Sequence, residues 1–181
     1  MMSEIEVQRD LFRRWFKQPL ADLYNNPDAG FPVLMITLPL LGRYLREKSN
    51  NHQEKLQDDF HKELGQMLPS LSDIATSRKF WRLYRHGMLH RGTLKLDADV
   101  LEVGIDERVA AYGIVTVSYD SQGYKFRVAA IALSKLVVTT IENDFATFAG
   151  DNSGTNPMML LSAPYLVRKS LDLMQSDLWL W

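Results

Sequence analysis

Between Phe80 and Gly92 the chain reads FWRLYRHGMLHRG, three arginines and two histidines among large apolar side chains, with no carboxylate to balance them. These residue types suit phosphate chemistry. A guanidinium is always charged and offers paired donors to phosphate oxygens, and an imidazole exchanges its proton near neutral pH. At about 100° per residue on a helix, His86 and His90 share a face, and Arg85 lies about 140° from His90 around the axis. The three can flank one crevice if a second helix packs against them. Gly87 costs a helix interior up to about 1 kcal/mol relative to alanine, which points to a backbone or ligand close by. From Ile74 to Leu96 the cations are Arg78, Lys79, Arg82, Arg85, Arg91 and Lys95, with no acid before Asp97. The alternative for Arg78, Lys79 and Arg82 is a solvated face that answers acids elsewhere in the fold.

The string RHGMLH resembles the motif of the HEPN superfamily (higher eukaryotes and prokaryotes nucleotide-binding domains): arginine, a polar residue, any three residues, histidine. Its place at the end of an aromatic amphipathic helix, followed by Arg91 and Gly92, fits that likeness. The resemblance implies a helical bundle that dimerises and sets two copies of the motif in one cleft. It also implies metal-independent endoribonuclease activity in a toxin or antiviral-defence setting. Carried over residue by residue, Arg85 is the motif arginine, His86 the polar residue after it and His90 the motif histidine. Cleaving RNA without a metal needs a group that takes the 2′-hydroxyl proton and a cation that offsets charge on the phosphorane-like transition state. His90 suits the first task and Arg85 the second, with His86 orienting substrate or assisting proton transfer. Arg82, Arg91, Lys95 and Tyr84 are the candidate RNA contacts. Tyr84 and Trp81 have stacking on bases as one reading and a place in the core as the other.

Other chemistries fit less well. The chain has four histidines, His52, His61, His86 and His90; a pair one turn apart can hold zinc, but the hydrolytic HExxH pattern needs glutamate where Gly87 stands. No metal and no cofactor are expected. SGTNP lacks the lysine and strand of a phosphate loop, and GDNSG lacks a histidine partner. Glu142 and Asp144 read as a polar face or as salt-bridge partners of the basic helix. A non-catalytic alternative keeps the HEPN-like fold as a dimerising, RNA-binding or protein-binding accessory module, with Arg85 and His90 structural. A third reading rests on the terminal DLWLW, whose tryptophans are costly to expose and so pack on this domain or on a second subunit.

The elements that must position this segment are legible along the chain. At 181 residues, 46% hydrophobic and 24% charged, it has the composition of an ordinary globular protein and the length of a single domain, 1–181. A net charge of -1 argues against a uniformly basic coat, so RNA binding must rest on a local patch. With no cysteine, disulfides, thiolate metal sites and thiol nucleophiles are excluded. The N-terminal stretch lacks a secretory pattern, and the longest apolar run, Phe31 to Gly42, is too short for a bilayer. The expected setting is cytoplasmic, with no membrane contact, a homodimer, and an antitoxin or other protein as a candidate partner.

Apolar spacing predicts a first helix to about Lys17 before Pro19, and a buried second helix emerging into solvent near Arg46, with Pro39 as a kink point. An amphipathic helix follows through Leu56, Phe60, Leu64 and Met67. The next runs from about Thr76 to Arg91 with Gly92 as its C-cap. Alternation and the DSQG turn predict two to four short antiparallel strands within 93–128. A helix from Ile131 to a stop at Gly150 and a shorter one interrupted by Pro164 complete the reading. The fold class is mainly α, a HEPN-like helical bundle with a small antiparallel β insertion.

Overall fold

The computed structural model describes residues 3–50, 57–86 and 98–150. Helix α1 (Glu4–Phe12) opens with a capping box, in which Glu6 N–H donates to Ser3 Oγ at 3.3 Å and Ser3 N–H donates to the Glu6 carboxylate at 2.7 Å. The helical path does not end before Pro19. It widens into one π-helical turn, Arg13–Lys17, and continues as α2 (Gln18–Leu23). Proline has no N–H and its ring collides with the carbonyl four residues back. The wider turn accommodates this, with Gln18 N–H donating to Arg13 O.

Helix α3 (Gly30–Lys48) is the central element and carries nine buried residues from Val33 to Leu45. It runs unbroken through Pro39, whose exposed position leaves the freed carbonyl on the solvent side. Helix α4 (Asp58–Met67) buries Phe60 and Leu64, as its spacing predicts, and also His61, while Met67 is only partly buried. A short 3-10 turn, Pro69–Leu71, leads to α5 (Ile74–Trp81), capped by Asp73, whose carboxylate accepts from Thr76 N–H at 2.8 Å. A second π-helical turn, Arg82–His86, extends α5.

Three strands follow: β1 (Val100–Ile105), β2 (Val115–Asp120) and β3 (Gly123–Val128), in the spatial order β1-β3-β2. The hairpin at DSQG is present, with β2 antiparallel to β3 and Tyr119 opposite Tyr124. The expectation of a wholly antiparallel insertion is corrected, because β1 pairs parallel to β3 and the sheet is mixed. A 3-10 turn, Glu107–Ala111, carries the chain from β1 to the far edge of the sheet, so β1 and β2 never form a hairpin. Alternation reports a half-buried strand but says nothing of its partner or direction.

Helix α6 (Ala130–Asn143) packs along α3, and α7 (Phe145–Ala149) ends at Gly150, whose φ of 75° is left-handed, the predicted stop. Phe12 is fully buried between Phe145 and Phe148, with ring centroids at 5.8 and 5.4 Å. Burying such a ring contributes about 1.5–3 kcal/mol. Its inward position ties the first helix to the last described one. Among the described residues, no helix is long and apolar enough to cross a membrane. The predicted Gly92 cap, Leu56, the segment before Ala98 and everything after Gly150, including DLWLW, lie outside the described residues.

Candidate functional site

The apolar residues of FWRLYRH decide where its cations go. Phe80, Leu83 and Tyr84 are fully buried and Trp81 nearly so, with Trp81 edge-on to Phe60 of α4 at 4.9 Å. Gly42 of α3 lets the helices meet here, since a Cβ built on it falls 2.9 Å from Trp81 Cζ2. With Phe80, Trp81, Leu83 and Tyr84 inward, Arg82 is exposed and Arg85 is left half-buried at the edge of the same packed face.

Tyr84 is corrected as a candidate RNA contact. Its ring has no exposed area, and its hydroxyl donates to the backbone carbonyls of Gly104 at 2.8 Å and Phe126 at 3.1 Å. Burial pushes this phenol upward from its ordinary pKa. Tyr84 is a tether from the π-turn to strands β1 and β3, with no face left for a base. Trp81 is likewise core.

Two other cations of the segment are answered by carboxylates, Arg78 on an exposed face and Lys79 in a largely buried place. Arg78 pairs with Asp58 of α4 and Lys79 with Asp99. Lys79 also stands over the Tyr124 ring, 4.1 Å from its centroid. The hydrogen bond from Lys79, and more weakly the charge of Arg82, hold the Asp99 carboxyl below its usual range.

Arg85 differs from its neighbours. Among the described residues no carboxylate pairs with it. Its guanidinium pKa is lowered first by burial and then by repulsion from Arg46, yet an arginine remains charged at any physiological pH. Arg46 is itself half-buried, with its pKa lowered by burial, and α3 emerges fully into solvent two residues on, at Lys48. Sequence reasoning did not connect Arg46 with Arg85, whose charge it opposes. Its available signal was a place one turn after Gly42, the small residue that permits close helix approach.

His86 falls on the last residue of the π-turn. His90, Arg91 and Lys95 lie outside the described residues. Glu142 and Asp144 do meet polar partners, but not the basic helix. Glu142 accepts from Lys17 at 2.8 Å and lies 3.6 Å from Arg13, whereas Asp144 accepts from the Tyr44 hydroxyl at 3.0 Å. Burial, then Asp144, pushes the Tyr44 phenol up to about 12.

A polar pair unremarked in the sequence joins α4 to α5: His61 Nδ1 lies 2.9 Å from Ser77 Oγ, and both residues are buried. Burial, and then the nearby Arg78, lower the His61 pKa. Without solvent access the pair is a structural latch. Among the described residues no three histidine or carboxylate side chains converge as a metal site. No family model, no curated protein and no solved structure matches the chain.

Proposed function

We propose that the chain is a cytoplasmic, dimeric, metal-independent endoribonuclease of the HEPN type, acting in a toxin or antiviral-defence setting with an antitoxin or another protein as partner. One observation carries this reading. Arg85 is a half-buried guanidinium without a carboxylate partner among the described residues, in a segment whose cations Arg78 and Lys79 are answered. Holding an unneutralised charge out of water is unfavourable unless an anion offsets it, and an RNA phosphate supplies that anion.

In the proposed reaction Arg85 binds the non-bridging oxygens of the scissile phosphate and offsets charge as the phosphorane-like state forms. His90 takes the 2′-hydroxyl proton while the 2′-oxygen bonds to phosphorus. The bond from phosphorus to the 5′-oxygen breaks, and His86 assists proton delivery to that leaving oxygen. The products are a 2′,3′-cyclic phosphate and a 5′-hydroxyl. Half burial of Arg85 also favours a second reading, an accessory module that binds RNA or protein without cutting.

The test incubates the purified chain with mixed RNAs in EDTA beside an Arg85→Ala, His90→Ala double variant, and assays 2′,3′-cyclic phosphate ends. Cyclic ends from the wild type alone are expected. Intact RNA with a wild type that still binds it would replace the nuclease by the accessory module.

A further inference from the structure

Helix α1 and the π-turn after it have an inner and an outer side. Gln8 and Phe12 are buried, and the partly buried Ile5 and Phe16 pack against the same core. Along the outer side Val7, Leu11 and Trp15 follow one another at four-residue steps. Val7 is 45% exposed and the other two are half-buried. Among the described residues, neither Leu11 nor Trp15 packs against the core. A four-residue step drifts about 40° around an α-helix. The wider turn at Arg13–Lys17 takes back part of that drift and so holds Trp15 closer to the line of Val7. Three large apolar side chains in line on the solvent side of a helix form a seam for another surface.

The charges beside this stripe are complementary to themselves. Asp10 and Arg14 are exposed and pair at 2.7 Å. Each directly precedes a stripe residue, Leu11 or Trp15, and therefore lies on the same flank, about 100° round the axis. When a second α1 is laid antiparallel with Leu11 against Leu11, Val7 meets the second copy's Trp15. Asp10 stands about 1.5 Å before that crossing point along the axis and Arg14 about 4.5 Å after it. Each Asp10 thus comes level with the other copy's Arg14, and four charges alternate in sign along the flank. Parallel alignment in register sets each charge beside its own kind.

We propose that α1 is the seam of a homodimer, in which two copies pair antiparallel about Leu11 and bury Val7, Leu11 and Trp15 of both. The contact is isologous, so one stripe serves both subunits. The proposal names a surface for the dimer of the nuclease reading, but it does not rest on the RNA chemistry, since α1 carries no motif residue.

Sedimentation equilibrium of the full chain from about 1 to about 100 μM is expected to show dimer that grows with concentration. Leu11→Glu brings two carboxylates together at the crossing point and should weaken association about 100-fold or more. Circular dichroism checks that this variant folds. Asp10→Arg leaves a chain with two cations on the flank, and Arg14→Asp leaves one with two anions. Each alone should dimerise about tenfold or more weakly than the wild type, whereas an equimolar mixture of the two recovers as heterodimer in native mass spectrometry. Loss of fold does not produce that recovery.

A wild type that stays monomeric throughout overturns the seam. In that monomer, nuclear Overhauser contacts from Trp15 to residues 151–181 would give the stripe to the chain's own segment. A dimer that persists in every variant, with no preference in the mixture, places association on another surface and equally overturns the proposal. A chain that dimerises through α1 but cuts no RNA keeps the seam and ends the nuclease reading. A chain that cuts RNA with α1 unpaired does the reverse.

Discussion

Two π-helical turns, Arg13–Lys17 with the sequence RRWFK and Arg82–His86 with RLYRH, are alike in composition and differ in almost every consequence. The first precedes Pro19, which supplies its cause, and buries none of its side chains. Asp10 lies 2.7 Å from Arg14, and Glu142 serves both Arg13 and Lys17. No proline follows the second within the next turns. It buries Leu83 and Tyr84 fully, pins Tyr84 to two strands and leaves Arg85 unanswered by any carboxylate among the described residues. Extra residues in helical turns often mark functional places. The contrast adds a criterion: a π-turn that a proline explains, with neutralised cations, is a structural accommodation, whereas one held by packing around a charge that no described carboxylate answers is the place we propose as a site.

The sharpest break between the two turns lies in activity. Arg85→Gln is expected to slow RNA cleavage about 100-fold or more, the scale of losing one transition-state donor, while Arg13→Gln in the first turn leaves the rate unchanged. Equal effects in a cleavage assay would erase the distinction. Next in size is Gly42→Ala, which forces α3 away from Trp81 at the base of the second turn. Overpacking should cost about 1–3 kcal/mol in urea unfolding, with no counterpart in the first turn.

Tyr84→Phe removes the hydroxyl that serves Gly104 and Phe126, and a loss of about 1–2 kcal/mol is expected by the same measurement. An unchanged midpoint would show that the second turn does not depend on its tether to the sheet.

The contact of α4 with the helix that carries the second turn is expected to be sensitive to acid. His61 faces Ser77, with Arg78 and Asp58 nearby, and its folded pKa lies below the ordinary value of 6.5. The unfolded chain therefore binds the proton more readily than the folded one. Stability from this residue is fully present above about pH 6.5 and falls as pH drops toward the lowered folded value. Unfolding of wild type against His61→Gln across that range reads it, and parallel profiles would sink the idea.

The smallest effect belongs to the first turn. Glu142→Gln strips it of its shared carboxylate and should cost less than about 1 kcal/mol, fading with added salt, because the ion pairs are largely exposed. A larger loss would make the first turn as consequential as the second.

Much of this contrast lies beyond local pattern. The spacing of Phe60 and Leu64, the DSQG hairpin and the stop at Gly150 were legible, because each rests on contacts within a few residues. The continuation past Pro19 was not, since a proline reads as a helix end until the widened turn before it is seen. Tyr84 reads equally as a stacking ring or a core ring, and only β1 and β3, far along the chain, decide between them.

By itself the sequence determined a mainly helical chain with a β segment in its second half, no cysteine chemistry, and a basic aromatic helix carrying Arg85, because composition and periodicity are properties of neighbours in the chain. Tertiary structure alone decided that β1 runs parallel to β3, that Arg78 and Lys79 are answered by Asp58 and Asp99, and that the charge of Arg46 opposes that of Arg85. The physical reason is common to all three. Strand direction, charge pairing and like-charge approach depend on which distant segments share a surface, and α3 reaches Trp81 at Gly42 through packing that no local pattern encodes.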